Sequence, residues 1–270
     1  MIWLARILTG KRFIRLRACL GRAIAVVGSV QFLFATCVSP QALTSRTWGP
    51  KFATTGASLE LKRVGPIGES SSGYSANYTV EVFGFAPSTS VDLWIWRVGK
   101  EPQVLASDFK VKGRDLVCDK PPLSAFGQKV TCRGPAQAAE MAISAIQGEP
   151  VAVALISHDK KTRVFAKVVP LPFEVVQDTC RISVEREDQG GTLFVATALG
   201  LRPNESFNAA MASENELAKL SGKADSNGIW RTMFSPVVKG RSSGTGSIDI
   251  QSESCQLHLD YRWGTAKAPN

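Results

Sequence analysis

The chain has 270 residues, 44% of them hydrophobic and 20% charged, and its formal net charge is +9. Subtracting the six basic residues of the first 22 positions from the total of 32 leaves 26 Lys and Arg against 23 Asp and Glu, with the two signs interspersed. This balance argues against a nucleic-acid partner, because proteins that bind nucleic acid cluster Lys and Arg on one face to neutralise phosphates.

The first 42 residues predict a signal peptide. Basic residues as far as Arg22 come with no acidic residue, and an uncharged apolar run at 23–38 follows them. A basic stretch, a short apolar run and then small residues is the layout of a secretory signal. The run is shorter than the roughly 20 apolar residues that a membrane span needs. We therefore expect cleavage between Cys37 and Ala42 and export to the periplasm, the cell surface or the medium.

Two other fates of the leader stay open at this point. A retained leader would be a signal anchor, a single-pass inner-membrane segment with its N-terminus in the cytoplasm. Alternatively, Cys37 would be lipidated, since the residues before it partly match a lipoprotein box, although Thr36 stands where a smaller residue is usual. We expect contact with a membrane only in these two cases.

The rest of the chain predicts two strand-rich domains. Residues 43–56 contain Pro50 and several Ser and Thr, which is typical of a linker. Residues 57–173 and 174–265 are each long enough to bury a core. Their content of Val, Thr, Ser and Gly favours extended structure over helix. The predicted fold class is all-β.

In the first domain, period-two alternation predicts strands near 59–62, 78–83 and 91–98. Residues 136–146 predict a helix, because a proline precedes them and Gly148 follows them. Residues 151–157 and 162–169 flank four polar residues and predict a β-hairpin.

The second domain shows the same alternation near 180–185 and 207–211, and residues 192–199 predict a buried strand. Asn227-Gly228 is a strong signal for a tight hairpin turn. The clearest strand is the last one, where one face carries Cys255, Leu257, Leu259, Tyr261 and Trp263.

An internal repeat connects the two domains. Residues 79–91 align without a gap with residues 195–207, and in both a strand meets Gly-[Phe/Leu]-x-Pro before three polar residues. Glycine allows the turn, and proline ends the ladder because it has no N–H to donate. The same place in each half favours a duplicated domain over a turn that arose twice.

This turn, together with the Asp-x-Asn-Gly hairpin at 225–228, resembles the immunoglobulin-like modules of bacterial exported proteins. The resemblance implies two tandem immunoglobulin-like β-sandwiches, with Trp94 or Trp96 in the place of the buried Trp of such domains. The resemblance implies architecture and hardly any activity. Because the sequence shows no catalytic constellation, we expect a non-catalytic binding or structural module of the bacterial cell envelope.

Four cysteines follow the leader, and they predict disulfides. An even number of cysteines in an exported protein is most simply explained by pairing. Of the three possible connectivities we predict Cys118–Cys132 and Cys180–Cys255, because each pair then stays within one domain. We predict no metal site, since the sequence has no Cys-x-x-Cys motif.

No catalytic residue or cofactor is predicted. Residues 240–244 satisfy Gly-x-Ser-x-Gly, but they lack the flanking strand and helix that hold a nucleophile. His158 and His258 are predicted to be exposed. Asp225 and Asn227 are better explained as turn residues than as calcium ligands.

Trp94 and Trp96 carry the competing functional interpretation. They lie on one side of their predicted strand, and Leu93 and Ile95 lie on the other. If the indoles are exposed, they predict a carbohydrate-binding module. If they are covered, they belong to the core. The predicted partner is therefore an envelope protein or a glycan.

Overall fold

The computed structural model describes residues 48–70, 73–118, 123–125, 128–131 and 139–265. The predicted leader, 1–42, lies outside the described residues. Within the described ranges the regular elements are strands, preceded by one short 3-10 turn at Pro50–Phe52. No helix in this part of the chain has the length and apolarity to span a membrane.

The strands in chain order are β1 (Ser58–Ser70), β2 (Gly73–Phe83), β3 (Ser90–Arg97), β4 (Gln103–Lys112), β5 (Asp115–Val117), β6 (Leu123–Ala125), β7 (Gln128–Thr131), β8 (Glu140–Ala145), β9 (Val151–Ser157), β10 (Arg163–Val168), β11 (Phe173–Gln177), β12 (Cys180–Arg186), β13 (Phe194–Leu199), β14 (Ser206–Ser213), β15 (Glu216–Lys223), β16 (Trp230–Phe234), β17 (Ser243–Gln251) and β18 (Gln256–Gly264).

The first sandwich is built from β1 to β10. One layer has the order β10-β9-β3-β4 and the other contains β1, β2, β8, β7 and β6. The short strand β5 pairs with β4 and touches β2 at a single register position, which links the two layers. Alternate side chains of both layers fill the core, among them the fully buried Val80, Leu93 and Leu155.

The second sandwich packs the sheet β11-β12-β13-β16 against the sheet β15-β14-β17-β18. Its core is aromatic, and Tyr261 contacts both Phe194 and Phe234 at ring-centroid distances of 5.6 Å. The alternation predicted for the last strand is confirmed, because Leu257, Leu259, Tyr261 and Trp263 are buried while the residues between them are exposed.

Both halves share one topology. The strands β1-β2-β8 of the first sandwich correspond to β12-β13-β16 of the second. The opposite layer, β10-β9-β3-β4, corresponds to β18-β17-β14-β15. Two antiparallel sheets with these crossovers form an immunoglobulin-like sandwich, so the predicted fold class is confirmed. The predicted hairpin of β9 and β10 is also present.

The repeated turn has the same geometry in both sandwiches. Gly84 and Gly200 have φ of 75° and 86°. A Cβ atom on Gly84 would lie 2.2 Å from the carbonyl oxygen of Gly56, and one on Gly200 would lie 2.0 Å from that of Thr179. Only glycine fits this close approach. Four residues later, Ser88 and Asn204 both have positive φ, 62° and 61°.

The predicted helix at 136–146 is wrong where the structure describes it. Residues 140–145 form β8, which pairs with β2 and β7. Met141 and Ile143 point into the core at period two. Pairing on both sides outweighs the local helix propensity of an Ala-rich segment, because propensity differences are a few tenths of a kcal/mol per residue.

Candidate functional site

The aromatic face is the outer surface of the sheet that contains β3, β9 and β10. We define it by Trp94, Trp96, Ala154, Ile156 and Phe165, which surround one small apolar cluster. The two indoles alternate with Leu93 and Ile95, which are buried in the main core. Strand β3 is therefore apolar on both sides.

A segment from the predicted linker covers this face. The segment, which we call the strap, comprises residues 48–56, and its Trp48 is only 6% exposed. The Trp48 ring meets Trp96 edge-on at 5.7 Å and Phe165 at 5.3 Å between centroids. The indole pair is thus half-buried beneath a third indole.

The indole N–H groups of Trp96 and Trp94 differ in their bonding. Trp96 Nε1 donates to the carbonyl oxygen of Lys100 at 2.6 Å. Trp94 Nε1 is buried and has no hydrogen-bond partner among the described residues. An unsatisfied buried donor costs about 1–3 kcal/mol, so Trp94 carries a polar group whose burial is not compensated.

Thr54 fastens the strap to the edge of β10. Its backbone N–H donates to the carbonyl oxygen of Arg163 at 2.8 Å, and its hydroxyl accepts from Arg163 N at 2.9 Å. The same hydroxyl donates to the carbonyl oxygen of Lys161 at 3.2 Å. Residues 48–56 therefore pack as part of the first sandwich.

The junction between the sandwiches is the second feature of the site. The chain passes between them through Pro170, Leu171 and Pro172, of which the first two are buried. Gly148, in the turn between β8 and β9, donates its N–H to the carbonyl oxygen of Leu171 at 2.7 Å. A Cβ atom on Gly148 would lie 2.6 Å from the Phe173 ring, so the turn and β11 are in close contact.

Arg186 binds both sandwiches at this junction. The residue is 4% exposed, and its guanidinium donates to the carbonyl oxygen of Gln147 at 2.9 Å and to those of Arg262 and Gly264 at 3.3 Å. It also lies 5.4 Å from the ring centroid of Phe194. Burial lowers the pKa of Arg186. Carbonyl oxygens and an aromatic ring replace its hydration shell.

A groove of about 510 Å³ runs beside the junction. One wall carries the ion pair between Arg97 and Glu149, in which Arg97 Nε donates to Glu149 Oε1 at 2.9 Å. The other wall carries Asp188 and Gln189, and Gln189 Nε2 donates to the carbonyl oxygen of Val98 at 3.0 Å. The groove thus has walls from both sandwiches, and the bond between Gln189 and Val98 crosses from one to the other.

Asp188 shapes the loop at this end of the second sandwich. Partial burial raises the pKa of its carboxyl, but hydrogen bonds from Thr192 and Leu193 and the charge of Arg186 outweigh that effect. The pKa of Asp188 is lowered overall. A carboxylate is therefore the stable form at the junction.

One of the two predicted disulfides is confirmed. Cys180 and Cys255 are bonded, with their Cα atoms 5.9 Å apart. Cys118 is also disulfide-bonded, whereas Cys132 lies outside the described residues. The pairing Cys118–Cys132 stays a prediction.

The two histidines lie on the surface, 42% and 58% exposed at their side chains, and each contacts an aspartate. His158 Nε2 lies 3.1 Å from Asp92 Oδ1, and His258 Nδ1 lies 2.7 Å from Asp249 Oδ1. The hydrogen bond to Asp249 raises the pKa of His258. Neither ring bonds a hydroxyl or thiol side chain within the described ranges.

The remaining candidate residues occupy turns. Asp225 Oδ1 accepts from the backbone N–H groups of Asn227 at 2.8 Å and Ile229 at 2.9 Å, which is the turn-forming role expected for it. Residues 240–242 form the turn that precedes β17. In the part of the chain that the structure describes, no cluster of three or more His, Cys, Asp or Glu could hold a metal ion.

Sequence reasoning missed the junction. Arg186 lies between Glu185 and Glu187 and resembles an exposed charge. The available signals were the Pro-Leu-Pro connector and Gly148, which was interpreted as the end of a helix.

No family model matches the sequence, and no curated protein matches it. Three solved structures with limited similarity are four tandem repeats from the extending region of a large adhesion protein, a red sea bream transglutaminase and the FN1–FN3 domains of chicken CNTN1. They share 8%, 12% and 9% identity over 77%, 81% and 77% of this chain, with TM-scores of 0.22, 0.23 and 0.20. The chain spans 47%, 32% and 65% of their lengths, which is less than two thirds of each. The fold assignment rests on the strand order.

Proposed function

We propose that this chain is an exported, non-catalytic module of the bacterial cell envelope. Its two immunoglobulin-like sandwiches form one stiff pair, which binds other envelope components or holds them apart. The observation that carries the proposal is the junction at Arg186. A buried guanidinium that bonds to carbonyl oxygens of both sandwiches restrains their relative motion, whereas tandem domains joined by a solvated linker move freely.

The connector supports the same role. Two prolines fix φ in Pro170-Leu171-Pro172, and burial of Pro170 and Leu171 removes the freedom that a linker needs. A spacer or a binding scaffold gains from this stiffness, because a fixed geometry reduces the entropy that is lost on binding.

Export is supported by the leader pattern and by the Cys180–Cys255 disulfide. Structural disulfides persist in oxidising compartments such as the periplasm and the cell exterior. We place the mature protein there. Attachment to the inner membrane by an uncleaved leader is the alternative that the experiment below separates.

An envelope protein or a glycan is the proposed partner. Any ligand that stacks on Trp94 and Trp96 first has to displace Trp48, which packs on this face at 6% exposure. Binding at this face therefore requires an opening step.

The proposal is tested by complementation of a bacterial strain that lacks the gene. The variants are Arg186→Met, its surface control Arg181→Met, and His158→Ala combined with His258→Ala. Arg181 is half-exposed and pairs with Glu174 at the surface, at 2.9 Å. We expect leaderless protein outside the cytoplasm for all variants, and loss of envelope integrity for Arg186→Met alone.

Two results would contradict the proposal. An intact N-terminus on cytoplasmic protein would exclude export, and a double-histidine variant that folds normally but does not complement would indicate catalysis. An intact N-terminus in the membrane fraction would indicate the signal anchor, which is the alternative fate of the leader.

A further inference from the structure

We infer that the outer edge of β10 and the adjoining aromatic face form a docking site for an extended, acidic segment of a partner protein, and that the strap occupies this site until the partner arrives. The inference names a partner class for the proposed binding role and rests on that role. It is tested on purified protein, so its failure leaves the export and junction experiments unaffected.

The backbone of β10 provides the first argument. Arg163 directs its N–H and carbonyl oxygen away from β9, because both bond to Thr54 of the strap. Backbone groups alternate along a strand, so those of Phe165 and Lys167 also point to the outer edge. In the described part of the chain, β10 ends its sheet and pairs only with β9. Once the strap leaves it, an edge of this kind can bind a peptide as an added strand.

The aromatic face provides the second argument. Trp48 shows that the face accepts an aromatic side chain beside the edge, between Trp96 and Phe165. Trp94, on the same face, has a buried Nε1 without an acceptor among the described residues. A partner segment that brings an acceptor to this N–H would remove the cost of leaving it unsatisfied.

Charge gives the partner its chemistry. Lys160, Lys161, Arg163 and Lys167 lie along the turn and the strand β10. Lys167 bonds to Glu185 at 2.6 Å, and Asp159 is held by Ser157 and by the N–H of Lys161. The strap adds another cation, the exposed Lys51. The strap and the hairpin thus carry charge of the same sign, although Asp159 and Asp92, which lies 3.1 Å from His158, offset part of the positive charge of the hairpin. An acidic segment has the complementary sign.

The two ends of the strap are held differently. Gly49 has φ of 111°, and a Cβ atom on it would have no atom within 4 Å, whereas the carbonyl oxygen of Gly56 packs closely against Gly84. Trp48 can therefore leave the face by rotation at Gly49. Thr54 leaves the edge of β10 once its bonds to Arg163 and Lys161 break.

The experiment measures peptide binding to the purified chain by calorimetry. The probe is a synthetic peptide of residues 48–57 with Lys51→Glu and Thr55→Glu, and the unmodified peptide is its control. Wild type is compared with Trp48→Ala, which empties the face, and with Thr54→Ala, which loosens the strap with less risk to folding. A charge-reversal variant, Lys160→Glu with Lys161→Glu, is made in the Thr54→Ala background, and Lys219→Glu with Lys223→Glu on β15 is its matched control.

We expect saturable binding of the acidic peptide, about tenfold tighter to either strap variant than to wild type. Reversal of the hairpin charges should weaken it about tenfold, and the β15 reversal should leave it unchanged. The inference is overturned if the acidic peptide binds none of the folded variants, if it binds wild type as tightly as both strap variants, or if both reversals weaken it equally. Tighter binding of the unmodified peptide would mean that a second copy of the strap, and not an acidic partner, is the natural occupant.

Discussion

The backbone N–H of Arg186 donates to the carbonyl oxygen of Gly148 at 2.8 Å. This hydrogen bond joins strand β12 of the second sandwich to the β8–β9 turn of the first sandwich. The guanidinium of the same residue reaches the neighbouring carbonyl of Gln147. Backbone and side chain therefore fix one turn from two sides. A change in the shape of that turn must affect both sandwiches.

Gly148→Ala should loosen the junction. Gly148 has φ of 78°, and the new Cβ would lie 2.6 Å from the Phe173 ring. We expect a loss of about 2–4 kcal/mol in the free energy of unfolding, from strain and overpacking together. Urea unfolding measures it. Gly240→Ala is the matched control, because Gly240 has φ of 82° with no atom within 4 Å of a Cβ and should cost only about 1–2 kcal/mol. Equal losses would show that the Phe173 contact is unimportant.

Glu205→Gln should reduce stability at neutral pH but not at low pH. Hydrogen bonds, first from the Ser254 hydroxyl and then from backbone N–H groups, lower the pKa of Glu205 from 4.5 to about 2. A lowered folded pKa stabilises the protein above the unfolded pKa, and this gain is lost as the pH falls from about 4.5 to about 2. Urea unfolding should give a lower free energy of unfolding for the variant than for wild type at pH 7, and the same value for both at pH 2. The control Glu216→Gln, on the exposed strand β15, should unfold with the same free energy as wild type at both pH values.

Removal of the Cys180–Cys255 disulfide should destabilise the second sandwich. The bond joins residues 75 positions apart. Loss of a native disulfide costs about 2–5 kcal/mol, largely because the unfolded chain gains freedom. We expect a lower melting temperature by calorimetry for the double variant Cys180→Ala with Cys255→Ala. Non-reducing peptide mapping should also show Cys118 joined to Cys132, and a free thiol at Cys118 would contradict both that pairing and the bonded state of Cys118.

Asp249→Asn should lower the pKa of His258. The hydrogen bond to Asp249 raises the pKa of His258 above 6.5. A raised folded pKa stabilises the fold fully below the unfolded pKa, and this stabilisation is lost as the pH rises through the folded pKa. NMR titration of the only two histidines measures the change directly. His158 is the internal control, since its neighbour is Asp92. An unchanged His258 titration would mean that the Asp249 contact does not form in solution.

The repeated turn could be predicted because its requirements are local. Gly84 and Gly200 need positive φ and close approach to a neighbouring backbone, and only glycine permits both. The sequence also shows that β3 is apolar on both faces, because the neighbouring residues Leu93 and Trp94 point to opposite sides of a strand. The helix predicted at 136–146 is wrong, because a proline before a segment and a glycine after it do not reveal that the segment pairs with β2 and β7.

The junction and the covered aromatic face could not be predicted, because both depend on residues far apart in the chain. Nothing near Arg186 indicates that carbonyl oxygens of Gln147 and Gly264 will replace its water. The strap has the composition of a linker, and the position of Trp48 becomes meaningful only once β9 and β10 place Ala154 and Phe165 beneath it.

The disulfide at the start of β12 and β18 has a mechanical consequence. Cys180 and Cys255 join the beginnings of these two strands, and Arg186 ties their far ends through Arg262 and Gly264. A pull applied across the second sandwich, from β11 to the end of β18, passes through the covalent bridge. The residues between the two cysteines, whose positions differ by 75, carry no load. Under tension only the residues outside the disulfide loop, those of β11 and β18, can extend. The second sandwich therefore serves as a nearly inextensible link.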